Sequence, residues 1–160
     1  MSTQGSIKRD DSGKWFFVID TVGADGKRKQ LKRRGFATKK EAQSALTTVQ
    51  NDLQRGTYVR PVKMRFGTYL LDWVDGLAAS GRRPSTIDSY RQNIKRNVLP
   101  TLGGYDLQAV TAIDLDKLYS QLIAKPLSMR TVRYVHTIIG KALSDAERKD
   151  LVVRNVARRA

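Results

Sequence analysis

The spacing of apolar residues changes once along the chain. Up to residue 36 it follows the two-residue alternation of strands, and from residue 38 onward mostly the three-and-four spacing of helices. Ser6 to Arg9 predicts a short strand. Asp10-Asp11-Ser12-Gly13 predicts a turn, because Asp and Ser offer local hydrogen bonds and Gly accepts a left-handed backbone. Trp15 to Val22 is an aromatic and β-branched run that predicts a second strand. Gly23-Ala24-Asp25-Gly26 reads as a four-residue hairpin connection, and Lys27 to Gly35 as the returning third strand. Parity assigns the faces. Trp15, Phe17 and Ile19 share one side of the second strand, and Phe16, Val18 and Asp20 the other. In the third strand Leu31 has one parity, and Arg28, Gln30, Lys32 and Arg34 have the opposite one.

Thr38-x-x-Glu41 is a capping box, and Ala42, Ala45, Leu46, Val49 and Leu53 follow it at helical spacing up to Arg55-Gly56. One helix covers only one face of a sheet, here the face carrying Ile7, Trp15, Phe17, Ile19, Leu31 and Phe36. The expected first module is therefore a three-stranded antiparallel sheet with one helix and a bare second face, ending near Gly56. Residues 57–65 contain Pro61 and show no period, so they read as a linker reaching at most roughly 30 Å at about 3.3 Å per residue.

From residue 66 the pattern predicts four helices. Phe66, Tyr69, Leu70, Trp73 and Leu77 form the first stripe, which stops at Ser80-Gly81. Ser85-x-x-Asp88 is expected to cap the second helix, with Ile87, Tyr90, Ile94 and Val98 inward and Pro100 with Gly103-Gly104 ending it. Thr111-x-x-Asp114 caps the third, carrying Leu115, Leu118, Tyr119, Leu122 and Ile123. Pro126 and Ser128 open the fourth, with Val132, Val135, Ile139, Ala142, Leu143 and Ala146. The bundle is assigned residues 66–153. Residues 154–160 show no core pattern and read as the start of a connection to a further domain. The fold class is α+β: a small sheet-plus-helix module followed by an all-α four-helix bundle.

Composition narrows the chemistry. Thirty Lys and Arg face 15 Asp and Glu, a formal charge of +15, and both modules are cationic. Leu, Ile, Val and Phe make up 40 of the 160 residues, enough for packed cores rather than a disordered polycation. Without cysteine, disulfides, thiol nucleophiles and thiolate metal sites are excluded, and a single histidine excludes multi-His metal sites. No stretch is apolar and long enough to span a bilayer, and no signal-peptide core opens the chain. The expected location is cytoplasmic, associated with the bacterial nucleoid. A charge excess of this size points to a polyanion, most often nucleic acid.

The bare sheet face would present Lys8, Phe16, Val18, Arg28, Gln30, Lys32 and Arg34. A β-ribbon fits the major groove, where Arg, Lys and Gln reach base edges and phosphates. A solvated charged face is the plain alternative, but Phe16 and Val18 among the cations disfavour it. In the bundle, the second helix offers Arg83, Ser85, Thr86, Ser89, Arg91 and Lys95. The fourth offers Ser128, Arg130, Thr131, Arg133, Tyr134 and Lys141. Helix openings that combine free amides, hydroxyls and Arg suit phosphate, although Ser85 and Ser128 also serve as caps. His136 sits mid-helix, Asp114-x-Asp116 lies in a first turn where acids suit the helix dipole, and no glycine-rich loop ends in Gly-Lys-Ser/Thr. No catalytic residue, metal or cofactor is expected.

The order of motifs carries a resemblance. Gly5-Ser6-Ile7-Lys8, Gly13-Lys14-Trp15 and Phe36-x-Thr38-Lys39-Lys40-Glu41-Ala42 resemble the arm-type DNA-binding domain of phage and transposon integrases. Ser85-Thr86-Ile87-x-x-Tyr90-x-x-x-Ile94, Leu99-Pro100-x-Leu102-Gly103, Ser128-x-x-Thr131-Val132-x-x-Val135-His136 and Ala142-Leu143-x-x-Ala146 resemble the SAM-like core-binding domain of tyrosine recombinases. The family's Asn-Pro after the fourth helix stands here as Asn155-Val156. The resemblance implies a sheet module for arm sites and a bundle for core sites on double-stranded DNA. It also implies self-association on DNA, accessory bending or directionality factors, and strand transfer through a covalent phosphotyrosine by an Arg, Lys, His and Tyr constellation on a separate domain. Two other classes stay open: a stand-alone DNA-binding transcriptional regulator, and a basic RNA-binding or assembly protein.

Overall fold

The computed structural model describes residues 5–22 and 27–160, and the chain divides into two compact units, residues 1–58 and 59–160. The architecture is α+β. The expected hairpin connection at residues 23–26 lies outside the described residues.

In the first unit, β1 (Gly5–Arg9), β2 (Trp15–Val22) and β3 (Arg28–Phe36) form an antiparallel sheet in the order β1-β2-β3. The β1–β2 turn closes as the sequence predicts. Asp10 exchanges backbone bonds with Gly13 and Lys14, its carboxylate accepts from the Lys14 amide at 2.9 Å, and Gly13 takes φ 81°. Helix α1 (Lys39–Gln54) starts at the Thr38/Glu41 capping box and buries Ala42, Leu46 and Val49 against Phe17 and Ile19. Ile7, Leu31, Phe36 and Tyr58 complete that core, so Tyr58, expected in the linker, belongs to the first unit. Trp15 does not join it. The register slips between Trp15 and Phe16, because Gly35, at φ 97°, is an extra residue in β3. Trp15 stands at the sheet's end between Arg9 and Lys39, each about 6 Å from its ring centroid.

In the second unit, α2 (Phe66–Gly76) runs on through a 3₁₀ turn to Ser80, and Gly81 at φ 72° ends it. No side chain caps α2. Instead the Phe66 and Gly67 amides donate to the carbonyls of Tyr105 and Gly103 at 2.7 and 3.1 Å. That approach requires a glycine, since a Cβ on Gly67 would lie 2.7 Å from Leu99 Cδ2 and 2.9 Å from Gly103 Cα. Helix α3 (Pro84–Asn93) begins with Pro84 in its first turn and Arg83 as N-cap, so the expected Ser85 cap is not made. Proline suits the first helical position because its missing N–H has no intrahelical partner there.

Nor does Pro100 end the helix. A π turn (Ile94–Val98) leads directly into α4 (Leu99–Leu102), and the Leu99 amide reaches back five residues to Ile94. An inserted π turn widens the backbone where a proline ring would clash with the carbonyl four residues earlier. Helix α5 (Ala112–Ile123) starts at the Thr111/Asp114 capping box, and α6 (Met129–Arg148) at Ser128, both as expected. Their inner faces meet Phe66, Leu70, Ile94 and Leu102 in one core. Ile123 is an exception: it lies past the buried turn and is exposed, whereas Ile138 is buried.

The C-terminal segment corrects the expectation of a bare connection at residues 154–160. Val152 and Ala157 are buried in the bundle core, and a 3₁₀ turn (Val156–Arg159) packs on α5 and α6. The anchor is Asn155, 5% exposed, whose amide donates to Gly140 O and Ser144 Oγ, both at 2.8 Å, while its carbonyl accepts from Ala157 N at 3.0 Å. The chemistry is satisfied on every side. Asn155→Ala is expected to lower the bundle's unfolding free energy by about 1–3 kcal/mol, because it strands buried partners. Urea denaturation followed by circular dichroism checks this; an unchanged midpoint would contradict the anchoring role.

Candidate nucleic-acid interface

On the sheet, the side chains facing away from α1 are set by the pairing register. Lys8, Phe16 and Arg34 lie across the three strands in one row, and Ser6, Val18 and Lys32 in the next. Asp20 faces Gln30, and Val22 faces Arg28. Lys8, Arg28, Gln30, Lys32 and Arg34 are exposed, and Phe16 and Val18 half-buried. The seven residues picked from sequence therefore do share one surface. Phe16 organises it: Lys32 Nζ stands 4.3 Å from its ring centroid and Arg34 Cζ 5.7 Å. A cation over an aromatic face is attracted by the ring quadrupole, which restrains both side chains on this surface. The surface is not uniformly positive, because Asp20 pairs with Arg28. The hydrogen bond from Arg28 holds the Asp20 carboxyl below its ordinary value despite partial burial, and the neighbouring Gln30 amide lowers it further.

In the bundle, side chains of α3 and α6 reach one another. Tyr90 is the hinge of the arrangement: Trp73 stacks on its ring at 5.9 Å, Tyr134 meets it edge-on at 5.8 Å, and its hydroxyl accepts from Lys141 Nζ at 3.1 Å. Ser89 Oγ donates to the Tyr134 hydroxyl at 3.3 Å. Ser89, Tyr134 and Lys141 thus come together as one patch. Ser128 caps α6 and bonds Thr131, while Arg130 and Arg133 project from its first turns, exposed. Arg83 and Ser85 are exposed at the start of α3, Thr86 is half-buried beside them, and Lys95 is exposed on the π turn.

Arg91 departs from expectation. It donates to Asp75 at 2.7 Å and Asp88 at 3.1 Å, so it ties α3 to α2 instead of offering a free cation. Sequence spacing shows the Asp88 pair three residues away but not Asp75 on another helix.

A cleft of about 700 Å³ opens beside this patch, and Arg82, Arg148 and Arg158 stand around it with Lys141. Arg148 follows Lys141 at seven residues on the same helix face, a spacing that signals the pairing; Arg158 joins only through the folded C-terminal turn. His136 Nδ1 lies 3.1 Å from the Tyr119 hydroxyl, a satisfied histidine. Burial and Asp116 push the Tyr119 phenol up, and burial with Asp145 pushes Tyr69 up against the opposing Arg148, so neither is primed as a nucleophile. Among the described residues no group of His, Asp and Glu is placed to hold a metal ion, and no helix is long and apolar enough to cross a membrane.

Known proteins share both units. Residues 6–53 match the Arm DNA-binding domain family, and residues 65–123 the phage integrase N-terminal SAM-like domain family. The SAM-like domain of a phage integrase from Moorella thermoacetica is 30% identical, with a TM-score of 0.54, over 64% of this chain and 88% of that one. The chain belongs to the phage-type integrases. An integrase from Streptomyces ambofaciens is 29% identical over 154 residues, 95% of this chain and 39% of the relative's length. The fold of both units also recurs in lambda integrase, seen as a tetramer bound to a Holliday junction, at 15% identity and a TM-score of 0.56 over 96% of this chain and 46% of that one. This integrase chain therefore matches the N-terminal part of longer relatives.

Trp73 Nε1 donates to Asp145 Oδ2 at 2.6 Å, on the rim of the cleft, and Arg148 pairs with the same carboxylate. Burial opposes ionisation of Asp145, and the Trp73 and Arg148 bonds outweigh it, so the carboxyl sits below its ordinary 3.8. A carboxyl lowered by folding stabilises the folded state fully above its unfolded value, and the contribution is lost as pH falls through the folded value. Between about pH 6 and about pH 3 the urea midpoint of the bundle is expected to fall further in the native chain than in Asp145→Asn. Equal falls would show that this carboxylate is not coupled to folding.

Proposed function

We propose that this integrase chain holds duplex DNA through two surfaces: the sheet face at arm-type sites, and the α3/α6 patch at core-type sites of a site-specific tyrosine recombinase. The observation that carries the reading is the outer sheet face, where Phe16 and Val18 stand exposed in part between Lys8, Lys32 and Arg34. A solvated face gains nothing from apolar residues at its centre. A ribbon entering the major groove gains contact with base edges and thymine methyls there, and with phosphates at its rim.

The α3/α6 patch has a different character. Its hydroxyls and cations cluster where two helices meet, with Arg130 and Arg133 on the opening turns of α6 and Lys141 fixed on Tyr90. Such a surface positions a backbone more than it reads bases. Lambda integrase, bound to a junction in one structure and to a core site in another, supports DNA as the ligand. Two binding modules in one chain raise the effective concentration of each site for the other. Strand transfer by the Arg, Lys, His and Tyr constellation is assigned to residues outside these 160. Self-association on DNA and docking of bending or directionality factors belong to the same reading.

Each cation on a phosphate contributes about 0.9 to the slope of log affinity against log salt. In fluorescence-anisotropy titrations against duplexes selected from a random pool, Lys32→Ala and Arg34→Ala are expected to weaken one class of duplex, and Arg130→Ala and Lys141→Ala another. Each should flatten the slope on its own class by about one unit. Equal losses on both classes, or salt-insensitive binding, would refute the two-surface division; preference for RNA over duplex DNA would refute the ligand.

A further inference from the structure

Asp20 is at odds with the face on which it lies. Its neighbours there are cationic, apolar or neutral polar, and a carboxylate repels the phosphates that the cations attract. It stands on the central strand opposite Gln30, and its side chain is 35% exposed. Arg28 Nη2 donates to its Oδ2 from β3, and its buried Oδ1 is left without a hydrogen-bond partner among the described residues. An ion pair this open adds little to stability, so folding alone gives no reason for an acid at this place.

The consequence falls on Arg28. Asp20 cancels its charge locally, which removes most of what a phosphate would gain from it. Asp20 also holds one edge of the guanidinium through Nη2, engaging among the described residues one of its five N–H donors, and the side chain remains 76% exposed. A charge-compensated fork held at one edge suits a neutral partner that offers two acceptors side by side. In the major groove that partner is guanine, with O6 and N7. Among the described residues the cross-strand rows of Lys8, Lys32 and Arg34 hold no carboxylate, although the Arg34 charge reaches Asp10 at the β1–β2 turn.

We propose that Arg28, oriented by Asp20, reads a guanine in the duplex held by the sheet face, while Lys8, Lys32 and Arg34 hold phosphates. The assignment rests on the sheet face being a duplex-DNA surface. Arg28 touches the base; Asp20 is a positioning residue that acts through it.

The test uses the 160-residue chain and duplexes enriched from a random pool. Native enrichment should show guanine at one position that Arg28→Ala no longer selects, with affinity for the native site falling about five- to hundredfold and the salt slope unchanged. Asp20→Ala should lose the same preference while the uncovered Arg28 charge tightens binding to unselected duplexes and steepens their salt slope. A residue needed only for folding would do neither. Within the class of duplex held by the sheet face, Lys32→Ala should weaken guanine-bearing and other sequences alike and flatten the slope by about 0.9. The assignment is overturned if Arg28→Ala weakens all duplexes alike with a flatter slope, or if Asp20→Ala keeps the guanine preference. Should the native chain enrich no duplex, the DNA-binding reading itself fails, and this assignment with it.

Discussion

A three-stranded sheet has two faces, and a single helix covers one of them. The rest of the first unit follows from that constraint. Side chains alternate along each strand, so burying Phe17 and Ile19 under Leu46 and Val49 obliges Phe16, Val18 and Asp20 to point the other way. The register then decides which β1 and β3 residues join them, and it selects Lys8, Lys32 and Arg34 together with Gln30. A one-residue slip would bring Arg33 and Leu31 to the outer face instead. Gly35 is where the sheet tolerates an extra residue, close enough to the strand's end that the rows from Phe16 onward stay in step. The outer surface is thus a by-product of how the inner one is packed, and its composition is where a ligand enters the argument.

The second unit meets the same requirement by other means. Its patch depends on Tyr90, which is buried enough to belong to the core and polar enough to reach its edge. Stacking on Trp73 fixes the ring from the side of α2, and Tyr134 fixes it from α6. Lys141 is therefore placed by α2 and α3 as well as by its own helix. Arg91 bonding to Asp75 braces α3 against α2, and Asn155 binds the C-terminal turn to α6. These contacts convert core packing into a fixed spacing of surface groups, which recognition of a regular polymer requires.

What the sequence makes legible follows from the range of the interactions concerned. The strands, the capping boxes at Thr38 and Thr111, the cap at Ser128 and the stops at Gly56 and Gly81 are local, and all are visible as spacing. The bare sheet face is legible for the same reason, since parity needs no partner. Misreadings arise where a distant segment decides. Arg91 looks like a free cation until Asp75 is brought to it, and Trp15 looks like core until the slip at Gly35 moves it aside. Pro100 looks like a terminator because the π turn ahead of it has no composition signal. Asn155 reads as the edge of a linker, since nothing in residues 150–160 reveals that Gly140 and Ser144 wait for its amide.

Charge in this chain serves distinct ends, and the structure separates them where composition does not. An excess of +15 describes long-range attraction to a polyanion, yet some of the arginines in that count have their charge locally matched. Arg91 and Arg158 are matched inside the bundle, where they hold helices and the terminal turn together. Arg28 is matched on a surface where nothing needs to be held together. That difference of place matters, because the same ion pair that braces a helix becomes, on an open face, a way to keep donors aimed while removing net charge. Lys32 and Arg34, stacked on Phe16, keep both charge and exposure. On the proposed reading, attraction and discrimination fall to different side chains of one face, so a change in one need not disturb the other.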